Sequence, residues 1–230
     1  MTGVDVSRWQ EGLDMADVKA AGHDFVILKA GGSDDGFYAD RCFADFYDAA
    51  LAAGLYVGAY YFVGPNFTSA DDGAADAERF LAILGDRAFD MPVYVDVEST
   101  RPADRDGATE ATIAFCDTME EAGYFCGIYS SEIAGFRDRL DADRLTDYTW
   151  WVACWDGEPD IVHPVWQYSD NGNISGHTVD LNICFEDFPS VIRDGCYNNH
   201  ASTPAQPVDI AFRLRGIRAA VDGLIADVER

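Results

Sequence analysis

Eight short apolar runs recur along the chain, and they limit its fold more than any other feature. They are GVDVS (3–7), FVILKAG (25–31), YVGAYYFV (56–63), PVYVDVE (92–98), FCGIYS (125–130), TWWVACW (149–155), PVWQYS (164–169) and VDLNICF (179–185). All are rich in β-branched and aromatic residues, and several are too continuously apolar to turn either face to water. Such runs suit parallel strands covered on both faces. Between the second and third runs, Phe43, Phe46, Tyr47, Ala50 and Leu51 fall on one helical face, and Gly54 stops that helix. Between the fourth and fifth, Ala108, Ala111, Phe115, Met119 and Ala122 do the same before Gly123, and a further helix fits residues 74–84. Strands separated by helix-length segments, at least through the first five, predict an α/β fold of the (β/α)8 TIM-like barrel type. The last three runs stand close together. DNGNISGH, which joins the final two, is too short for a helix, so the last strands are expected to be hairpin-like and the barrel irregular.

A chain of 230 residues is long enough for one such barrel, and residues 1–190 are assigned to it. The stretch 191–207, which includes the turn-prone NNHASTPAQP (198–207), reads as a linker. After it, Ile210, Leu214, Ile217, Val221, Leu224 and Val228 recur at alternating spacings of four and three, predicting an amphipathic C-terminal helix over 208–230. That stripe must be buried, either by docking on the barrel or by homo-oligomerisation through residues 208–230. Gly216 and Gly223 weaken the helix and argue against an autonomous coiled coil.

The net charge of −25 argues against a nucleic-acid partner, because phosphates would be repelled. Nor does any stretch approach the roughly 18–20 apolar residues that cross a bilayer, so no membrane insertion is expected. Lys19 and Lys29 are the only lysines. The six cysteines show no C-x-x-C spacing and mostly lie in apolar segments. They read as buried free thiols in preference to metal ligands or disulfides.

Carboxylates stand out against this apolar background. In PVYVDVE the strand alternation turns Asp96 and Glu98 to the same side, about 7 Å apart along the backbone. At the C-terminal end of a barrel strand that side opens onto the cavity where barrel enzymes work. Two acids so close repel as anions, and one pKa must rise, which makes a proton donor near neutral pH. Glycoside hydrolysis uses such a pair, one carboxyl protonated and one charged. Asp5, late in the first strand, and Asp180, early in the last, fall on neighbouring strands of a closed barrel and are expected to ring the same pocket. Each is an acid in an apolar strand, costly without a partner or a task. Aromatic side chains cluster at the strand ends, and sugars present apolar faces that stack on rings. Tyr61, Tyr129, Trp155 and Gln167 are the candidates for substrate contacts, with Tyr61, Trp155 and Gln167 expected on the cavity side.

Taken together these residues resemble the family-25 glycoside hydrolases, the lysozymes (N-acetylmuramidases) found among phage endolysins and bacterial autolysins. GVDVSRWQ is similar to the family's first-strand motif, and FVILKAGGSDDGFYADRCF to its second strand with Lys29 and the loop bearing Tyr38, Asp40 and Phe43. GLYVGAYYFV matches the third strand, PVYVDVES the fourth, and VWQYSDNGNISGHTVDLNICF the closing W-Q-Y … G … V-D-L-N pattern. The resemblance covers residues 3–186. It implies hydrolysis of the β-1,4 bond between N-acetylmuramic acid and N-acetylglucosamine in bacterial peptidoglycan, with no metal or organic cofactor. It also implies that Glu98 is the general acid, and that Asp96 is a nucleophile or orients the substrate's acetamido oxygen. Asp5 and Asp180 carry over as pocket acids.

Two departures bear on fine substrate preference: Tyr60-Tyr61-Phe62 stands where many members have Y-H-F, and Gly31-Gly32 where Thr-Glu is usual. The opening MTGVDVSRWQ has no basic start before an apolar run, so synthesis in the cytoplasm without a signal peptide is expected, with action on the wall after release. Two rival readings are weaker. A chitinase-like hydrolase would need further acids before Asp96, where Tyr94 and Pro92 stand. A non-catalytic carbohydrate-binding barrel would be expected to have lost one of the four acids.

Overall fold

In the computed structural model, which describes residues 1–201, the elements alternate as the apolar runs anticipate. They are β1 (Thr2–Val6), α1 (Met15–Ala20), β2 (Phe25–Gly32), β3 (Tyr38–Ala39), α2 (Phe43–Ala52), β4 (Tyr56–Phe62), α3 (Ala70–Leu84) and β5 (Val93–Asp96). Then follow α4 (Arg105–Glu121), β6 (Cys126–Ser131), β7 (Thr149–Ala153), β8 (Val165–Ile174), β9 (His177–Cys184) and α5 (Phe188–Asp194). Gly54 and Gly123 follow α2 and α4 with φ of +72° and +88°, a left-handed stop that a residue with a Cβ adopts at a cost. The helix expected at 74–84 begins earlier, because Ser69 caps it by accepting from the Asp72 amide.

Eight strands close into a barrel in the order β1, β2, β4, β5, β6, β7, β8, β9, with β3 a short addition to β2. Neighbours from β1 through β8 run parallel, whereas β9 is antiparallel to both β8 and β1. The cause is the connection: Ser175 and Gly176 turn the chain straight back, leaving no crossover helix to keep the last strand parallel. No α-helix separates β6 from β7 or β7 from β8; residues 132–137 form a π turn and 142–144 a 3-10 turn.

Residues 191–200, the first part of the stretch read as linker, are tied to the barrel. Helix α5 continues to Asp194, and buried Asn198 accepts from the Phe125 amide at 2.7 Å and donates to the Met91 carbonyl at 3.0 Å. The remainder of that stretch and the helix expected over 208–230 lie outside the described residues. Of the cysteines, Cys42, Cys116, Cys126 and Cys184 are buried free thiols, while Cys154 and Cys196 are half-buried.

Candidate active site

Strand alternation divides the barrel residues into an outer and an inner set. On β4, Val57, Ala59 and Tyr61, with Val63 just after it, pack into the core shared with the helices. Tyr60 and Phe62 face inward. The parallel register places Phe62 beside Asp96 and Tyr60 beside Tyr94, so these pairs share a face. The lower interior is filled by Phe25, Ile27, Met91, Tyr94, Trp151 and Val165. Gly127 makes room for this floor, since a Cβ there would sit 2.7 Å from the Tyr94 ring. Above the floor lies a cleft of about 320 Å³, whose lining includes Asp5, Lys29, Tyr60, Asp96, Glu98 and Asp180. All four acids expected to share a pocket therefore do so. The segment after β1, Ser7 to Gln10, forms one wall, held as a short 3-10 turn by a Ser7–Gln10 capping box.

Asp5 and Asp180 stand opposite each other in the β1–β9 register. Asp5 is buried and accepts hydrogen bonds from Gln167 Nε2 at 2.9 Å and Asn182 Nδ2 at 2.8 Å. Burial still lifts its pKa above the usual carboxylate range. Asp180 is pushed up to about 8, by burial first and by the Asp5 charge second. The pair holds a proton between them near neutral pH, with Asp5 favoured as the anion because two amide donors already face it.

Asp96 ends β5 and is buried, and its Oδ1 has no hydrogen-bond partner among the described residues. Burial, and then the neighbouring Glu98 charge, raises its pKa well above the usual range, while Lys29 opposes the rise. Glu98 is raised too, by burial, with Lys29 first and Arg139 after it opposing. Lys29 is the cation set among these acids. Its Nζ lies 4.1 Å from the Phe62 ring centroid, and burial lowers its pKa against the pull of Asp96 and Asp34. Two close carboxyls in a buried setting repel as anions, so one anion and one protonated acid is the favoured state, the division that bond cleavage by proton donation needs.

Residues 4–177 match the family model described as glycosyl hydrolases family 25. This chain belongs to that family. The family-25 match extends to curated relatives. An autolytic lysozyme of Clostridium acetobutylicum is 28% identical over 179 residues, covering 76% of this chain and 52% of the relative. Lysozyme M1 of Streptomyces globisporus is 28% identical over 205 residues, covering 78% of this chain and 65% of that one. The chain thus spans between half and two thirds of their length. A solved bacterial lysozyme from Streptomyces coelicolor superposes with a TM-score of 0.68 at 25% identity, covering 87% of this chain and 98% of that one.

Within this family-25 barrel the other expected contact residues are placed differently. Tyr61 is fully buried on the outer face against Phe80 and Phe115, its hydroxyl donating to Asp76 at 3.3 Å. Tyr60 takes the cavity position, because Asp96 points inward and the register carries that phase to Phe62 and Tyr60. Gln167 is buried beneath the acids, and its Oε1 accepts from Tyr129 at 2.9 Å and Trp155 Nε1 at 3.3 Å. Gln167 and Tyr129 thus support Asp5 from below, while Trp155 is half-exposed at the end of the same chain of hydrogen bonds. Sequence reasoning missed Tyr60, Arg8, Trp9, Asn182 and the part played by Lys29. A lysine inside an apolar strand of a chain with only two was the available signal for the last.

Proposed function

We propose that this chain is a muramidase, a peptidoglycan hydrolase that cleaves the β-1,4 bond between N-acetylmuramic acid and N-acetylglucosamine. The observation that carries the reading is the Asp96–Glu98 pair. Both carboxyls are raised by burial, both face Lys29, and both line one cleft. Family membership and the lysozyme relatives support the same substrate.

Glu98, the less enclosed of the two, donates its proton to the glycosidic oxygen as the bond to the anomeric carbon breaks. Asp96 meets the positive charge that develops there, either by bonding to that carbon or by holding the acetamido group whose oxygen does so. Water then attacks from the side vacated by the leaving sugar, and Glu98 takes up the water's proton.

The test is mass spectrometry of purified peptidoglycan digested by the protein and reduced with borohydride, beside Glu98→Gln. Fragments ending in reduced muramic acid are expected, with the variant slower by about 10²–10⁴-fold, the usual worth of a general acid. Fragments ending in reduced glucosamine would assign the wrong bond, and an undiminished Glu98→Gln rate would remove Glu98 from the mechanism.

A further inference from the structure

Arg8 lies on the wall between two adjoining hollows. One is the acid-lined cleft; the other, about 300 Å³, is lined by Arg8, Asp34, Asp35, Tyr38, Ala39 and Arg41. The Arg8 backbone amide is fixed by Asp40 Oδ2 at 3.1 Å. Its guanidinium lies over two rings, 5.2 Å from the Trp9 centroid and 5.4 Å from the Tyr38 centroid. Such stacking restrains a side chain that otherwise has many rotamers, and so reduces the ordering cost of binding.

Arg8 is the one arginine in the lining of the acid cleft. Arg41, Arg101, Arg105, Arg137, Arg144 and Arg193 have carboxylate partners; among the described residues Arg8 has none, nor do Arg79, Arg87 and Arg139, but of these four only Arg8 lines the cleft. Asp34, the one acid lining both hollows, accepts the Tyr38 hydroxyl at 2.8 Å and faces Lys29. Lys29 in turn faces Asp96 and Asp34, deep among the acids. An anionic substrate entering here meets five carboxyl groups, Lys29 deep among them, and at the wall the Arg8 guanidinium, which no carboxylate of the described residues pairs. Trp9, 78% exposed beside it, offers a ring for the apolar face of a sugar.

We propose that Arg8 is a specificity-determining residue: its guanidinium takes a carboxylate carried on the muramic acid side of the glycan, and so sets the cleft's preference for an anionic over a neutral polysaccharide. The assignment rests on the muramidase reading above. The planar fork of an arginine matches a carboxylate through two parallel hydrogen bonds. The carboxylate can belong to the lactyl group of stem-free glycan or to the peptide stem.

The test compares wild type, Arg8→Gln and Arg8→Lys on stem-free and on stem-bearing glycan, each also with its carboxylates converted beforehand to methylamides. On carboxylate-bearing glycan Arg8→Gln is expected to raise KM about tenfold with kcat nearly unchanged, the worth of one charged hydrogen bond. Arg8→Lys should recover part of that. Amidation should raise the wild-type KM by the same factor and make wild type and Arg8→Gln equal, a comparison that stands even if the variant folds poorly. An effect confined to stem-free glycan identifies the lactyl carboxylate, and one confined to stem-bearing glycan the stem. Equal KM for wild type and Arg8→Gln on native glycan overturns the inference, as does a wild-type KM indifferent to amidation. Calorimetric binding of the same four glycans runs in parallel. Absent cleavage with Arg8-dependent binding would therefore count against the hydrolase reading alone.

Discussion

Asp76 offers the most direct check on how burial sets acidity in this fold, because it lies outside the cleft and carries no catalytic assignment. It sits on α3, 4% exposed, accepting the Ser33 hydroxyl at 2.9 Å and the Tyr61 hydroxyl at 3.3 Å. Burial raises its pKa to about 6, opposed by those two hydrogen bonds, with Asp72 adding slightly to the rise. In the unfolded chain the value returns to 3.8. The two values are about two pH units apart, which is worth about 3 kcal/mol. The folded chain holds this proton where the unfolded chain has lost it. Stability from the group is therefore full below pH 3.8 and declines as pH rises to about 6, then stays level. Asp76→Asn removes the titration and keeps a polar group for Ser33 and Tyr61. Its amide has one accepting oxygen for two hydroxyls that now reach one carboxyl oxygen each, so about 1 kcal/mol is lost relative to the protonated acid, at every pH. The variant should be slightly less stable than wild type at pH 4 and about 2 kcal/mol more stable at pH 8. Urea unfolding followed by tryptophan fluorescence at several pH values measures the difference, and contributions from all other carboxylates cancel in it. A difference that stays constant from pH 4 to pH 8 would show that burial does not govern the acidity of Asp76, and would undercut the same argument for Asp96.

Two further substitutions separate cleft from core. Tyr60→Phe should lower kcat/KM about tenfold with little change in stability, whereas Tyr61→Phe should cost about 1 kcal/mol of stability and leave kcat/KM alone; steady-state kinetics and urea melts on both variants distinguish the two outcomes, and the reverse pattern would mean the strand phase is wrong. Asn198→Ala strips partners from the Phe125 amide and the Met91 carbonyl and places alanine at φ of +54°. About 2–4 kcal/mol of stability should go with it, and a chemical-denaturation midpoint unchanged from wild type would refute the anchoring of residues 191–200.

The barrel was legible because both faces of its strands are covered, which leaves runs that no amphipathic helix or half-exposed strand would carry. The meeting of Asp5 with Asp180 was equally legible, since closing a barrel makes the first and last strands neighbours whatever the side chains are. Phase was harder. Tyr60, Tyr61 and Phe62 are all aromatic, so hydrophobicity alternates in neither sense along that stretch. The β2–β4 register also slips between Lys29 and Gly31. What decides the phase is the strand beyond: Asp96 points inward, and the residues beside it must follow. The inversion of β9 and the turns that replace helices after β6 depend on loop lengths, and these were legible only in the closing hairpin.

The same geometry explains why four acids differ from the other 37 in a chain this acidic. Counting carboxylates in the sequence cannot separate them, because an exposed aspartate and a buried one are the same letter. Depth alone does not separate them either, since Asp40, Asp76, Asp90 and Glu132 are buried as well; the barrel separates them by bringing these four to one cleft. Asp5, Asp96, Glu98 and Asp180 all rest on a floor of phenylalanine, tyrosine and tryptophan, and burial is the first cause of the raised pKa in every one. Lys29 then offsets the rise at Asp96 and Glu98, and two side-chain amides offset it at Asp5. The floor raises the acids together, and their different partners set them apart. Replacing an aromatic of that floor with a smaller side chain should therefore draw the pH dependence of cleavage toward ordinary carboxylate values, even with every acid in place.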